Sequence, residues 1–127
     1  MTNITSKDIV DQIHQQWVAH FTPLDPQGLS ELYTNDAVLF GSMVEPFIGR
    51  DAVKAYFSSL PQGRYIGAEF FAEHIVQLTQ DVISMAGSVT VQRYELPPLE
   101  LRITHIFVMQ HREWFIASHH VSPKVVL

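Results

Sequence analysis

Arg102-Ile-Thr-His-Ile-Phe-Val-Met-Gln-His-Arg-Glu-Trp-Phe-Ile-Ala-Ser-His-His-Val-Ser-Pro123 reads as two antiparallel strands joined by a tight turn at His111-Arg112. The strands are placed at Glu100 to Gln110 and Glu113 to Val121, both rich in β-branched and aromatic residues. Successive side chains of a strand point to opposite faces, so parity decides which of them can meet. Leu101, Ile103, His105, Phe107 and Met109 fall on one face; Arg102, Thr104, Ile106, Val108 and Gln110 fall on the other. In the partner strand Phe115, Ala117, His119 and Val121 share a face, as do Trp114, Ile116, Ser118 and His120. Both faces of both strands are rather apolar. A sheet covered by helices on one side should be polar on the other, so the excess apolar surface calls for a second cover. A second copy of the chain, packed sheet to sheet over Ile106, Val108, Trp114 and Ile116, is the simplest one.

The remaining elements extend outward from this hairpin. Tyr65 to Leu78 carries Ile66, Ala68, Phe70, Ala72, His74, Val76 and Leu78 at even spacing. Thr79-Gln-Asp81 is a turn, and Val82 to Glu95 is a long strand in which Gly87 marks a bend or bulge. Leu96-Pro-Pro-Leu99 is a stiff turn, which completes an antiparallel meander. The N-terminal part is helical. Ser6 caps a first helix with Asp8 in its first turn, and Ile9, Ile13, Trp17 and Phe21 recur every four residues with Val10 alongside. Asp25 caps and Pro26 opens a short second helix whose buried side is Leu29, Leu32 and Tyr33; Asn35-Asp36 stop it. Ala37 to Phe40 is a short strand. Gly49 and Asp51 open a third helix that turns Val53, Tyr56, Phe57 and Leu60 inward, and Pro61 and Gly63 close it. Three N-terminal helices on one mainly antiparallel sheet make an α+β layer fold.

Length and composition bound the rest. A chain of 127 residues, 46% apolar, is expected to form one domain over residues 1–127. Eight Lys plus Arg against 13 Asp plus Glu, with no basic block, speak against binding nucleic acid through phosphate neutralisation. Without cysteine there is no disulfide, thiol catalysis or Cys-ligated zinc. Nothing approaches the ~18 consecutive apolar residues of a membrane span, and the first residues, Met1 to Asp8, lack an apolar signal core. A cytoplasmic protein with no membrane partner is expected.

Histidine is the residue of chemical interest, because its unperturbed pKa lies near ~6.5. His105 sits on an apolar strand face, where a histidine either hydrogen-bonds within the core or serves as a general acid/base; it is the candidate catalytic residue. Leu101, Ile103, Phe107 and Met109 flank it on that face, so desolvation should keep the ring neutral at pH 7. Trp17, Tyr33, Tyr56 and Phe57 on helices, with Phe107 and His119 on strands, are candidate ligand-binding residues around a cavity for a small molecule. Core packing is the plainer role for such aromatics. His14, His20 and His111 are expected to be exposed. His119 and His120 point to opposite faces of a strand and cannot share a metal, and no cluster of three ligands is readable, so no metal is expected. Neither a glycine-rich phosphate loop nor Gly-x-Ser-x-Gly occurs, and no cofactor is expected.

The order of these segments resembles the nuclear transport factor 2-like superfamily, especially its SnoaL-like members, and the association domain of calcium/calmodulin-dependent kinase II. The matching pieces are Trp17, Asp25-Pro26, Leu32-Tyr33, Asp36-Ala37-Val38, Gly49-Arg50-Asp51, Tyr56-Phe57, Arg102-Ile-Thr104, Trp114-Phe-Ile116 and His119-His120-Val-Ser-Pro123. The resemblance implies a cystatin-like cone, a curved sheet wrapped round a long helix, with an open pocket and a homodimer on the outer sheet face. In steroid isomerases of this superfamily a catalytic Asp follows the first strand and a first-helix Tyr stabilises an oxyanion; Gly41 and Trp17 stand at those places, which argues against that chemistry. The leading expectation is a homodimeric pocket protein for an apolar or amphipathic small molecule. The alternatives are a lyase or isomerase with a histidine acid/base, and an oligomerisation module.

Overall fold

A capping box opens the first helix, one residue before the expected Ser6. The Thr5 hydroxyl accepts the Asp8 N–H at 3.1 Å, and the Asp8 carboxylate accepts the Thr5 N–H at 3.2 Å, so both ends of the entry turn are satisfied. In the computed structural model, which describes residues 4–41 and 43–125, this helix, α1, is Ser6–Phe21. Its buried stripe is Val10, Ile13, His14, Trp17 and Phe21. His14 stands four residues after Val10 and three before Trp17, which puts it on the core face. The expectation of an exposed His14 is corrected: it is buried.

The second helix, α2, is a single turn, Pro26–Ser30, whose N-cap Asp25 accepts the Gly28 N–H at 3.1 Å. Tyr33 lies beyond it, at the start of the extended strand β1, Tyr33–Phe40. A two-residue strand, β2, Phe47–Ile48, pairs antiparallel with β1 and is too short to leave a periodic signal. The third helix, α3, Arg50–Ser58, starts after Gly49 at φ 96°, a conformation that favours glycine, and buries Val53, Tyr56 and Phe57. Four strands follow: β3, Tyr65–Thr79; β4, Val82–Arg93; β5, Leu96–Gln110; and β6, Glu113–Pro123. The sheet order is β2-β1-β6-β5-β4-β3, antiparallel except for the β1–β6 pair. Helix α1 lies against β3 and β6, and α3 against β1. The architecture is therefore the expected α+β cone, a curved and mostly antiparallel sheet with the helices at the N-terminal end of the chain. Pro97 and Pro98 are in strand β5, and the β4–β5 turn is Tyr94-Glu95, with Glu95 at φ 57°. The β5–β6 turn is at His111-Arg112, with φ of 51° and 67°, the twist that a two-residue hairpin needs.

Among the register shifts of the sheet, two bulges reset the side-chain parity in its central part. Phe71 pairs with Ser88 and His74 with Ala86, so Ala72 and Glu73 together oppose Gly87. A Cβ on Gly87 would collide with the Phe71 carbonyl oxygen, and only glycine allows the strands to approach there. Beyond this bulge Ile75 packs on the core while His74, Val76 and Leu78 are exposed, which breaks the even spacing read from the sequence. The second bulge is at Ala117: Phe107 pairs with Ile116, but Ile106 pairs with Ser118. One extra residue flips the face of everything on its far side. Trp114 and Ile116 consequently share the inner face with Phe107, and Ile116 is 0% exposed. The expected place of these two residues on the outer face is corrected; Phe115 stands there instead, opposite Val108.

Arg50 secures the start of β1. The β1–β6 register shifts between Tyr33 and Val38, and the Tyr33 carbonyl accepts from Arg50 Nε at 2.9 Å and Nη2 at 2.7 Å. Such charge-assisted pairs are the stronger kind of hydrogen bond. Replacing Arg50 by Ala leaves that carbonyl short of donors and should cost about 2 kcal/mol in urea unfolding; an unchanged midpoint would remove Arg50 from this role.

Candidate functional site

Helices α1 and α3 and the inner sheet face enclose a cavity of about 500 Å³. Trp17, Phe21, Tyr56, Phe57 and Phe70 form its aromatic wall, and Val89, Val91, Leu101 and Ile103 its aliphatic floor. Trp17 stacks on Phe21 with centroids 4.6 Å apart and meets Phe70 edge-on at 5.2 Å; Tyr56 meets Phe57 edge-on at 5.3 Å. These offset and edge geometries are the favourable ones for aromatic pairs. Apolar walls with few polar groups suit a small organic ligand.

Of the polar residues in the lining, which also include Glu100, His120 and Ser122, His119 is the buried one. Behind it runs a chain of rings. His119 Nδ1 lies 2.9 Å from the Tyr33 hydroxyl and 3.0 Å from His105 Nε2. His105 Nδ1 lies 3.1 Å from His14 Nε2, and Trp17 Nε1 donates to the Tyr33 oxygen at 3.0 Å. His14 in turn stacks on Phe70, centroids 3.9 Å apart and planes 13° apart, and Phe70 also lines the cavity.

Burial controls the protonation of this chain. Desolvation lowers the pKa of His14 to about 4, slightly opposed by the Asp11 charge. Desolvation is also the first cause that lowers His119 to about 3, with His14 and His120 adding to it. His105 is held well below its ordinary value by burial and then by its two histidine neighbours. Burial pushes the Tyr33 hydroxyl above its ordinary range, against the Trp17 hydrogen bond. All four groups are neutral at pH 7.

The expected site residues divide into two sets. Trp17, Tyr56, Phe57 and His119 line the cavity. Tyr33, His105 and Phe107 are 0% exposed and stand behind the wall. Both His105 nitrogens are engaged by other histidines, and the ring stands behind His119, outside the cavity lining. His14 was missed as part of the site, although its place on the α1 stripe was a readable signal. The three buried rings aim their nitrogens at one another rather than at a common centre, and among the described residues no group of three or more is arranged to hold a metal. No helix among the described residues is long and apolar enough to cross a membrane.

Comparison with known proteins agrees with this fold. No curated protein matches the sequence. Among solved structures, a domain of unknown function with a cystatin-like fold from Nostoc punctiforme superposes with a TM-score of 0.83 at 12% identity, over 99% of this chain and 82% of its own. A candidate calcium/calmodulin dependent protein kinase II association domain from Xanthomonas campestris gives 0.79 at 18% identity, covering 100% of both chains. A ketosteroid isomerase-like protein from Erwinia carotovora atroseptica gives 0.77 at 15% identity, over 93% of this chain and 95% of its own. At these identities the likeness establishes the fold. The family model of the SnoaL-like domain matches residues 10–126, and the chain therefore belongs to the SnoaL-like family.

Proposed function

We propose that this protein binds a largely apolar or amphipathic small molecule in the cavity between α1, α3 and the sheet, and acts as a homodimer through the outer sheet face. The observation that carries the binding reading is an aromatic-walled space of about 500 Å³ with a buried imidazole set into its side. The test uses 2-ethylnaphthalene as an apolar probe in calorimetry. Saturable binding at one molecule per chain is expected, and Val89→Trp, which projects an indole into the cavity, should abolish it. Binding that survives Val89→Trp would place the ligand elsewhere.

The dimer reading rests on the outer face. Ile106, Val108 and Phe115 lie half-buried at its centre, and Ile66, Phe71 and Leu78 are exposed along β3. An apolar face of this kind is favourably covered by its own copy, and two structural neighbours carry the description of an association domain. Light scattering should give twice the chain mass, and Val108→Glu with Phe115→Glu should give the chain mass. A wild-type protein at the chain mass would contradict the dimer.

A second reading, an isomerase- or lyase-type enzyme, is favoured by one feature: His119 is both in the cavity wall and hydrogen-bonded to a tyrosine, the arrangement of an oriented acid/base. In that reading His119, not His105, touches the substrate.

A further inference from the structure

We infer that His119 presents a fixed Nε2–H donor to the cavity, so that the ligand is a neutral molecule with a hydrogen-bond acceptor, a ketone, ester or ether oxygen, at the end that meets this ring. The inference rests on the binding reading above and deepens it by naming the ligand class.

The assignment follows from counting protons, beginning at a residue with no choice. The Trp17 indole N–H can only donate, and it points at the Tyr33 oxygen at 3.0 Å. The Tyr33 hydroxyl is fully buried, and among the described residues its other partner is His119 Nδ1 at 2.9 Å. If Nδ1 carried the proton, the Tyr33 oxygen would face two N–H donors and its own O–H would be left without an acceptor in a dry site, a costly arrangement. With Nδ1 unprotonated, the Tyr33 O–H donates to it. The His105 Nε2, 3.0 Å from the same atom, then donates as well, because two bare nitrogens facing each other would repel; its N–H and the Tyr33 O–H share the one in-plane lone pair of Nδ1. His105 Nδ1 is left as an acceptor and takes the His14 Nε2–H at 3.1 Å. Every proton along the chain now has an acceptor. A neutral His119 with a bare Nδ1 carries its hydrogen on Nε2, and among the described residues nothing is bonded to that nitrogen.

The consequence for recognition is a sign rule. A ligand carbonyl or ether oxygen meets a donor. A ligand N–H would meet an N–H, which repels it and selects against donors at that end. A carboxylate would gain one bond from a neutral ring, too little to offset its desolvation, and Glu100 in the cavity lining adds a like charge.

Three probes of similar size test this: 2-acetylnaphthalene, which has an acceptor; 2-ethylnaphthalene, which has none; and 2-naphthoate, which is anionic. Long-range 1H–15N correlation of the histidine rings at pH 7.5 should show a protonated Nε2 and a bare Nδ1 at His119; the reverse overturns the assignment. The ratio of the two neutral dissociation constants, ethyl over acetyl, should fall about tenfold in His119→Phe relative to wild type, the size of one buried hydrogen bond. A change below twofold in a folded variant overturns the role of His119. Should His119→Phe not fold, the wild-type Nε2–H resonance decides instead: it should shift downfield with 2-acetylnaphthalene and not with 2-ethylnaphthalene, and equal shifts overturn the inference. Tighter binding of 2-naphthoate than of 2-acetylnaphthalene overturns the neutral-ligand class. Failure of both neutral probes to bind overturns the binding reading itself and the ligand class with it, while the ring spectrum still judges the tautomer on its own.

Discussion

Between pH 7.5 and pH 5 the protein is expected to lose about 4 kcal/mol of folding stability through His14 and His119 alone. Both rings are buried and neutral, with folded pKa values of about 4 and about 3, against about 6.5 in the unfolded chain. Where folded values lie below unfolded ones, the unfolded state binds more protons, and stability falls as pH falls. The loss begins near the unfolded value and continues until the folded rings themselves titrate. At pH 5 each of these two histidines contributes about 2 kcal/mol of the loss, and His105, shifted in the same direction, adds to it. Total stabilities of domains this size are commonly ~5–15 kcal/mol, so a large share disappears in a window where ordinary carboxylates are still ionised. The lowered carboxylates Asp8 and Asp25 act only at lower pH, where they become protonated in the unfolded state. Urea midpoints measured at pH 7.5, 6 and 5 should drop steadily. Flat midpoints across that range would mean that the three rings are not buried neutral.

Replacing His105 by Ala is expected to cost about 4 kcal/mol at pH 7.5, the sum of a ring-sized void and an orphaned buried donor. His105 is the middle link: it accepts from His14 and donates to His119. Without it the His14 Nε2–H has no acceptor in a site closed by Phe70 and Phe107. The same variant should show a shallower pH dependence, because one of the three depressed rings is gone. A loss below about 1 kcal/mol, within the range of surface substitutions and small adjustments, would show that the ring chain contributes little to the core.

The fold was legible where side-chain periodicity survives undisturbed. The α1 stripe, the Pro26 start of α2, the Gly49 start of α3 and the His111-Arg112 turn all follow from local chemistry that a sequence displays. The bulges do not. Ala72, Glu73 and Ala117 look like ordinary strand residues, and each bulge inverts parity beyond it without changing composition. That inversion moved Trp114 and Ile116 from the outer face to the core and separated His74 from the face of Phe70 and Ala72. Tyr33 was misplaced for a related reason, since its strand begins before any apolar alternation and its carbonyl is held by the distant Arg50. In the site, the cavity walls Trp17, Tyr56 and Phe57 were visible as helix-face aromatics. The ring chain was half visible. His105 and His119 have inner-face parity in the sequence, but their union with His14 depends on how α1 lies against β3 and β6, which is tertiary packing and leaves no local mark.

The most direct test of a ligand cavity with His119 in its wall is a crystal of the protein soaked with 2-acetylnaphthalene. The expected density lies between Trp17 and Tyr56, with the carbonyl oxygen within hydrogen-bond distance, about 3 Å, of His119 Nε2. Density for the probe on the outer sheet face alone, or a ring bound in the cavity with its carbonyl turned away from His119 toward the Glu100 side, would contradict the account.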